Sequence, residues 1–189
     1  IVSPPKSEFH KLRQPLTEGE LRVFTFFDTY LAPEWEIYLQ PHLNGLKPDF
    51  VLINPNVGIA VFEVKDWNLD ALSYSIKKQT SDAPKLIGTK NGNSFSMQKD
   101  NPIEKVWQYK KELFELYCPR LQQGAGFAVI TAGVIFPFAD EKRVRSLFKS
   151  SLEYRGIYKY PQYHPLSGMD SLTSGIIERV FPEGKRHRS

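Results

Sequence analysis

Hydrophobic and polar positions alternate with two periods along this chain, and the change of period marks its elements. In "TEGELRVFTFFDTYL", residues 17–31, Glu20, Phe24, Phe27 and Leu31 recur at helical spacing and share one face. Thr17 is a capping residue with Glu20 three positions later, the capping-box spacing, and Pro33 closes the helix. "WEIYLQP", residues 35–41, reads as a short strand. "PDFVLINPNVGIAVFEVK", residues 48–65, alternates with a period of two on either side of a turn and predicts a β-hairpin. Residues 69–100 are polar and irregular; the Asn91-Gly92 pair marks an extra hairpin there, in an insertion over the main sheet. Residues 101–117 predict a second helix, with Asn101 as cap, Pro102 in its first position and Glu104 completing a capping box. Ile103, Val106, Lys110 and Leu113 trace one face of it, and Lys105, Gln108, Glu112 and Glu115 trace another. The apolar stretch 126–137 suits a strand covered on both faces. Residues 140–152 read as a helix and 155–160 as a last short strand. This order predicts an α/β fold, a mixed sheet with helices packed on it.

The hairpin carries three charges on an apolar face. Side chains two apart share a face, so Asp49 lies with Val51 and Ile53, and Glu63 and Lys65 lie with Ile59 and Val61. A three- or five-residue loop pairs Ile53 with Ile59 and Val51 with Val61, which sets Asp49 opposite Glu63. Opposed carboxylates repel, and apolar neighbours strengthen the repulsion. The compensating charge is Lys65 or a divalent cation. Mg²⁺ is commonly held by one or two carboxylates with waters and phosphate oxygens. A solvated sheet end accounts for a lone acid at a strand terminus. Three charges in phase on one face fit a site better.

The wider composition narrows the classes. The chain has 189 residues, 41% hydrophobic and 24% charged, enough for one globular domain. No apolar run reaches the length of a membrane span, and no signal-peptide pattern opens the chain. Cys118 is the only cysteine, which excludes an internal disulfide or a cysteine-built zinc site and fits a reducing, cytoplasmic setting. There is no P-loop. The net charge of +4 points weakly to an anionic partner, with Lys185, Arg186, His187 and Arg188 concentrated at the end. The first residue is Ile1, as in a piece of a longer protein. The expected organisation is an extended lead-in over 1–16, one domain over 17–180 with the 69–100 insertion, and a basic tail over 181–189. His42 and His164 read as surface or loop residues, Trp67 as packing, and Glu20 as either a helix cap or a site residue.

Pro48-Asp49, thirteen residues, then Glu63-Val64-Lys65 resembles the PD-(D/E)xK nuclease motif. "EGE" before an amphipathic helix, the run from Trp35 to Trp67, and "NPIEKVWQYKKEL" together resemble the NERD, or nuclease-related, domain over residues 17–136. The resemblance implies a restriction-endonuclease-like core, a central mixed β-sheet flanked by α-helices. It implies Mg²⁺-dependent cleavage of DNA, with Mn²⁺ as a substitute, in a module that a fused or associated helicase or ATPase accompanies. Asp49 and Glu63 match the metal-binding carboxylates, Lys65 the lysine that places the attacking water, and Glu20 the acid of the first helix. The Val64 carbonyl, between the two motif side chains, is a further expected metal ligand. The chain departs from the pattern at Lys105, where a glutamine is expected; Gln108, one turn on, is a substitute, and both are candidate substrate contacts. The other expectation is a nuclease-like module that binds DNA or protein without cutting.

Overall fold

The computed structural model describes residues 1–80, 82–117 and 129–185. Cys118, the 126–128 part of the apolar stretch, and Arg186, His187 and Arg188 lie outside the described residues.

The helices in chain order are α1 (Glu18–Tyr30), α2 (Pro102–Glu112), α3 (Glu141–Tyr154), α4 (Met169–Thr173) and α5 (Ile177–Val180). The strands are β1 (Val2–Ser3), β2 (Glu36–Leu39), β3 (Phe50–Asn54), β4 (Gly58–Val64), β5 (Ser73–Lys77), β6 (Lys85–Lys90), β7 (Asn93–Ser96), β8 (Ile130–Ile135) and β9 (Leu166–Ser167). Strands β1-β2-β3-β4-β8-β9 form the main sheet in that order. The β2–β3 and β3–β4 pairs are antiparallel, whereas β4–β8 and β8–β9 are parallel. This is the mixed sheet flanked by helices that the resemblance implies.

Strand β4 has neighbours on both edges and helices over both faces, so its side chains divide between two cores. Ala60, Phe62 and Val64 pack with Phe24 and Phe27 of α1 and with Phe181 after α5. Val61 packs with Ile103 and Val106 of α2 and Val144 and Phe148 of α3. Both local caps of the site-bearing helices form. The Thr17 hydroxyl accepts from the Glu20 amide while the Glu20 carboxylate accepts from the Thr17 amide. The Asn101 side chain accepts from the Ile103 amide.

Four expectations change. Glu104 does not complete a capping box, because the Asn101 amide already donates to the Gln98 carbonyl; Glu104 pairs instead with the Arg155 guanidinium. Residues 155–160 are not a strand. Gly156 adopts φ 67°, a left-handed turn after α3, and Ile157–Lys159 form a 3₁₀ turn with only Ile157 buried. The edge of the sheet is taken by β9. The lead-in is anchored rather than merely extended: β1 pairs with β2, Lys6–Lys11 form a 3₁₀ helix, and Phe9 meets Phe24 edge-on at 5.0 Å. The 69–100 stretch holds three strands, not one hairpin. Its β6–β7 turn is Asn91-Gly92, with φ 52° and 80°. Tyr74, Ile76 and Leu86 of this small sheet join the α2–α3 core. Among the described residues no helix is long and apolar enough to cross a membrane.

Candidate active site

The β3–β4 ladder runs from Asn54↔Gly58 through Val51↔Val61 to Phe50↔Phe62, with three residues in the loop. Gly58 suits the loop exit: φ there is 150°, and an added Cβ would lie 2.3 Å from the Val129 carbonyl oxygen. Asp49 and Glu63 stand one position beyond the last pair, in phase with Val51 and Val61. Here backbone pairing gives way to a side-chain contact. Asp49 Oδ2 accepts from the Val64 amide at 2.7 Å, and the Asp49 carbonyl accepts from the Gln40 amide at 2.8 Å. Asp49 is half-buried, and its carboxyl is pushed up to about 8. Burial is the main cause, the Glu63 charge the second, and the Glu20 charge adds to them; the Val64 amide and Lys65 oppose the shift.

Glu63 is only 3% exposed and is fully engaged. Lys65 Nζ lies 2.9 Å and Lys105 Nζ 3.0 Å from the same oxygen, Oε1. The Tyr109 hydroxyl donates to the other, Oε2, at 3.0 Å. Burial and the Glu63 charge raise the Tyr109 phenol, which keeps it protonated and a donor. Burial works against the Lys105 ammonium, but Glu63 outweighs it and the net shift is upward. Lys105 and Tyr109 are one turn apart on α2. Ile103 and Val106 seat that helix on the Val61 face and thereby aim both side chains at the end of the hairpin.

Helix α1 enters from the other face. The Asp66 carboxylate accepts from the Gly19 amide at 2.9 Å, beside the positive end of the helix. A Cβ on Gly19 would fall 1.9 Å from Asp66 Oδ1, which accounts for a glycine between two glutamates in "EGE". Glu20 therefore has two associations. It closes the capping box at 2.9 Å from the Thr17 amide, and it lines the same cleft as Asp49 and Glu63.

That cleft has a volume of about 490 Å³. It brings together Glu20, Asp49, Glu63, Val64, Lys65 and Lys105 of the expected residues. Gln108 is exposed on α2 and does not line it. Tyr109 was missed because the polar row through Lys105 and Gln108 lies beside it; its signal is the four-residue step from Lys105. Asp66 carried a signal as the next residue after the motif, whereas Arg13 and Lys47, which also line the cleft, carried none. Trp67 packs as expected, stacked on Tyr74 at 4.3 Å and edge-on to Phe136. His42 is exposed. His164 is a loop residue but not a surface one: it is buried, and burial followed by the Lys110 charge lowers it to about 3.

The acidic donors are hard oxygens suited to Mg²⁺, Mn²⁺ or Ca²⁺. Among the described residues no group of three or more His, Cys, Asp or Glu side chains is arranged to hold a metal ion. Two carboxylates suffice for a hydrated hard cation whose remaining ligands are water and phosphate, so the residues fit such an ion on one condition. Lys65 and Lys105 must yield Glu63 Oε1 to it.

Comparison with curated proteins and with solved structures gives no significant match. A family model, that of the nuclease-related domain, matches residues 16–137, the span that holds Glu20, the charged hairpin and α2. With well over half of its length matched, and with the motif residues of that span gathered in one cleft, the chain belongs to the NERD, or nuclease-related domain, family.

Proposed function

We propose that this domain is a Mg²⁺-dependent nuclease that hydrolyses DNA phosphodiester bonds, as one module of a larger helicase-type or defence protein. The observation that carries the proposal is the convergence of Asp49, Glu63 and Lys65 at one end of the β3–β4 hairpin, inside a polar cleft. Asp49 and Glu63 are the carboxylates that hold the cation, with the Val64 carbonyl and Glu20 as further oxygen donors. Mg²⁺, when bound, supplies neutralisation of phosphate charge and a water made acidic enough to attack near neutral pH. Tyr109 fixes the Glu63 carboxylate by holding Oε2, which leaves Oε1 towards the two lysines. Lys65 places the attacking water, and Lys105 transfers its ammonium from Glu63 to a phosphate oxygen of the substrate. The new bond joins the water oxygen to phosphorus and the water releases one proton to solvent; one ester P–O bond breaks, and the departing oxygen takes a proton from solvent and leaves as a hydroxyl.

One observation favours a second reading, a module that binds DNA or protein without cutting: both Glu63 oxygens already have protein donors. The test compares supercoiled, linear duplex and single-stranded DNA, with Mg²⁺ or with chelator. Cleavage that requires Mg²⁺ and falls by about 100-fold or more in Lys65→Ala is expected, the size of a lost positioned charge or proton-transfer group. A parent chain that binds no divalent ion and cuts no DNA form would leave the binding module as the better account.

A further inference from the structure

The cleft is wider than its motif residues, and part of its wall comes from the lead-in, before the first residue matched to the family. Arg13 and Lys47 line it, and both are exposed. Among the described residues neither forms an ion pair, although Glu20, Asp49 and Asp66 line the same space. Cations left unpaired in a cleft that also holds carboxylates are available to an external anion.

Arg13 is placed by an unusual device. Gln40 follows β2 with φ 46°, a left-handed conformation uncommon for a residue with a side chain, and is only 6% exposed. Its side-chain amide makes a two-way contact with the lead-in backbone: Oε1 accepts from the Gln14 amide at 3.2 Å, and Nε2 donates to the Gln14 carbonyl at 3.1 Å. Its own backbone amide donates to the Asp49 carbonyl. One residue thus ties the chain beside Arg13 to the backbone of the motif aspartate. On the other side, the Lys47 carbonyl lies 3.4 Å from the Tyr109 hydroxyl, the weaker second acceptor for the proton that goes to Glu63, which links that rim position to the donor that holds Glu63. A buried side chain in a costly backbone conformation, spent on fixing an otherwise irregular segment at the mouth of a polar cleft, points to a role for that segment.

We propose that Arg13 and Lys47 form a phosphate-binding subsite for the nucleic-acid backbone flanking the scissile position, and that Gln40 is the positioning residue that holds Arg13 in it. This rests on the nuclease proposal. Lys65 and Lys105 serve the phosphate under attack; Arg13 and Lys47 serve its neighbours, and the Arg13 guanidinium suits a bidentate grip on phosphate. Contacts of this kind position the strand and carry no base preference.

The experiment measures binding of a fluorescein-labelled 20-mer, single-stranded and duplex, by anisotropy with Ca²⁺ present, over a series of salt concentrations. Arg13→Gln and Lys47→Gln should each weaken binding by roughly 3- to 10-fold and reduce the log–log salt slope by about one phosphate, ~0.7 for single strands and ~0.9 for duplex. Arg13→Lys should restore the slope. Gln40→Ala should weaken binding as Arg13→Gln does, and the double variant should lose no more than either, because both changes remove one contact. Arg13→Gln should melt with the parent, its side chain being exposed and, among the described residues, in no ion pair. Parent-like affinity and slope in Arg13→Gln and Lys47→Gln overturn this subsite alone. A parent that binds no oligonucleotide overturns the nuclease proposal beneath it.

Discussion

Lys105 Nζ lies 3.0 Å from Glu63 Oε1, joining the first turn of α2 to the end of β4 across 42 residues of chain. Lys105 therefore occupies an oxygen that the proposed cation would need. Removing its charge should strengthen divalent-ion binding and weaken DNA binding together. Lys105→Gln is expected to tighten Mn²⁺ by several-fold in calorimetry and to loosen a labelled oligonucleotide by a similar factor, since removal of a half-buried ammonium beside the buried Glu63 carboxylate is worth on the order of 1 kcal/mol after solvent screening. Unchanged affinity for both would make Lys105 a structural partner only.

Asp49 and Glu63 should respond differently to loss of charge in the metal-free protein. Opposed carboxylates predict that neutralising either one relieves strain, and the tertiary contacts confine this to Asp49. Asp49→Asn removes a carboxyl that the fold must keep protonated or hold charged beside Glu63, and should melt at or above the parent temperature. Glu63→Ala leaves Lys65, Lys105 and Tyr109 without their acceptor, at a cost of about 1–3 kcal/mol, or roughly 2–10 °C in melting temperature. Both should abolish stabilisation by Mn²⁺. Equal melting temperatures for the two metal-free variants would contradict the engagement of Glu63.

Glu20 separates its two associations under Glu20→Gln. The amide oxygen retains an acceptor for the Thr17 amide, so the capping box persists and the melting temperature should change by about 2 °C or less. A metal-site role predicts a cleavage rate lowered by about tenfold or more at constant stability. A folded variant that cuts at the parent rate assigns Glu20 to the helix cap.

His164 should give the fold a steep acid limb. Its folded value of about 3 lies below the ordinary 6.5, so the unfolded chain binds the extra proton. Its contribution is intact above pH 6.5 and is lost progressively as pH falls towards 3. His164→Gln should flatten the fall in stability between pH 6.5 and 4.5 by up to about 1.4 kcal/mol per pH unit, read from denaturant titrations at each pH. An unaltered slope would show that His164 is protonated in the fold without penalty.

The β3–β4 hairpin was legible in the sequence because a strand has a side-chain period of two. A slip by one residue would have sent Val51 and Val61 to the opposite face and the larger Phe50 and Phe62 to theirs, and the loop length left the in-phase register as the one that keeps each set in its own core. The caps at Thr17 and Asn101 were legible for a similar reason: their partners lie two or three residues away, so the hydrogen bonds are written into adjacent positions. Glu104 shows the limit of such local rules, since a spacing that permits a capping box does not prevent a better partner, Arg155, from arriving 51 residues later. The neighbours of the charged cluster were decided by docking. Gln108 and Tyr109 are adjacent in sequence, and the glutamine that the resemblance implies at Lys105 pointed to the polar one, one turn on. Burial of Ile103 and Val106 against the sheet turns α2 so that the row from Lys105 to Tyr109 meets Glu63, while Gln108 faces solvent. The contact of Asp66 with Gly19 spans 47 residues, and the grip of Gln40 on Gln14 spans 26. No periodicity encodes these, because they depend on where two separately formed elements come to rest on the sheet. The sequence determined which residues share a strand face or a helix turn. The tertiary structure decided which charges meet, because that depends on the rotation and depth at which each helix packs.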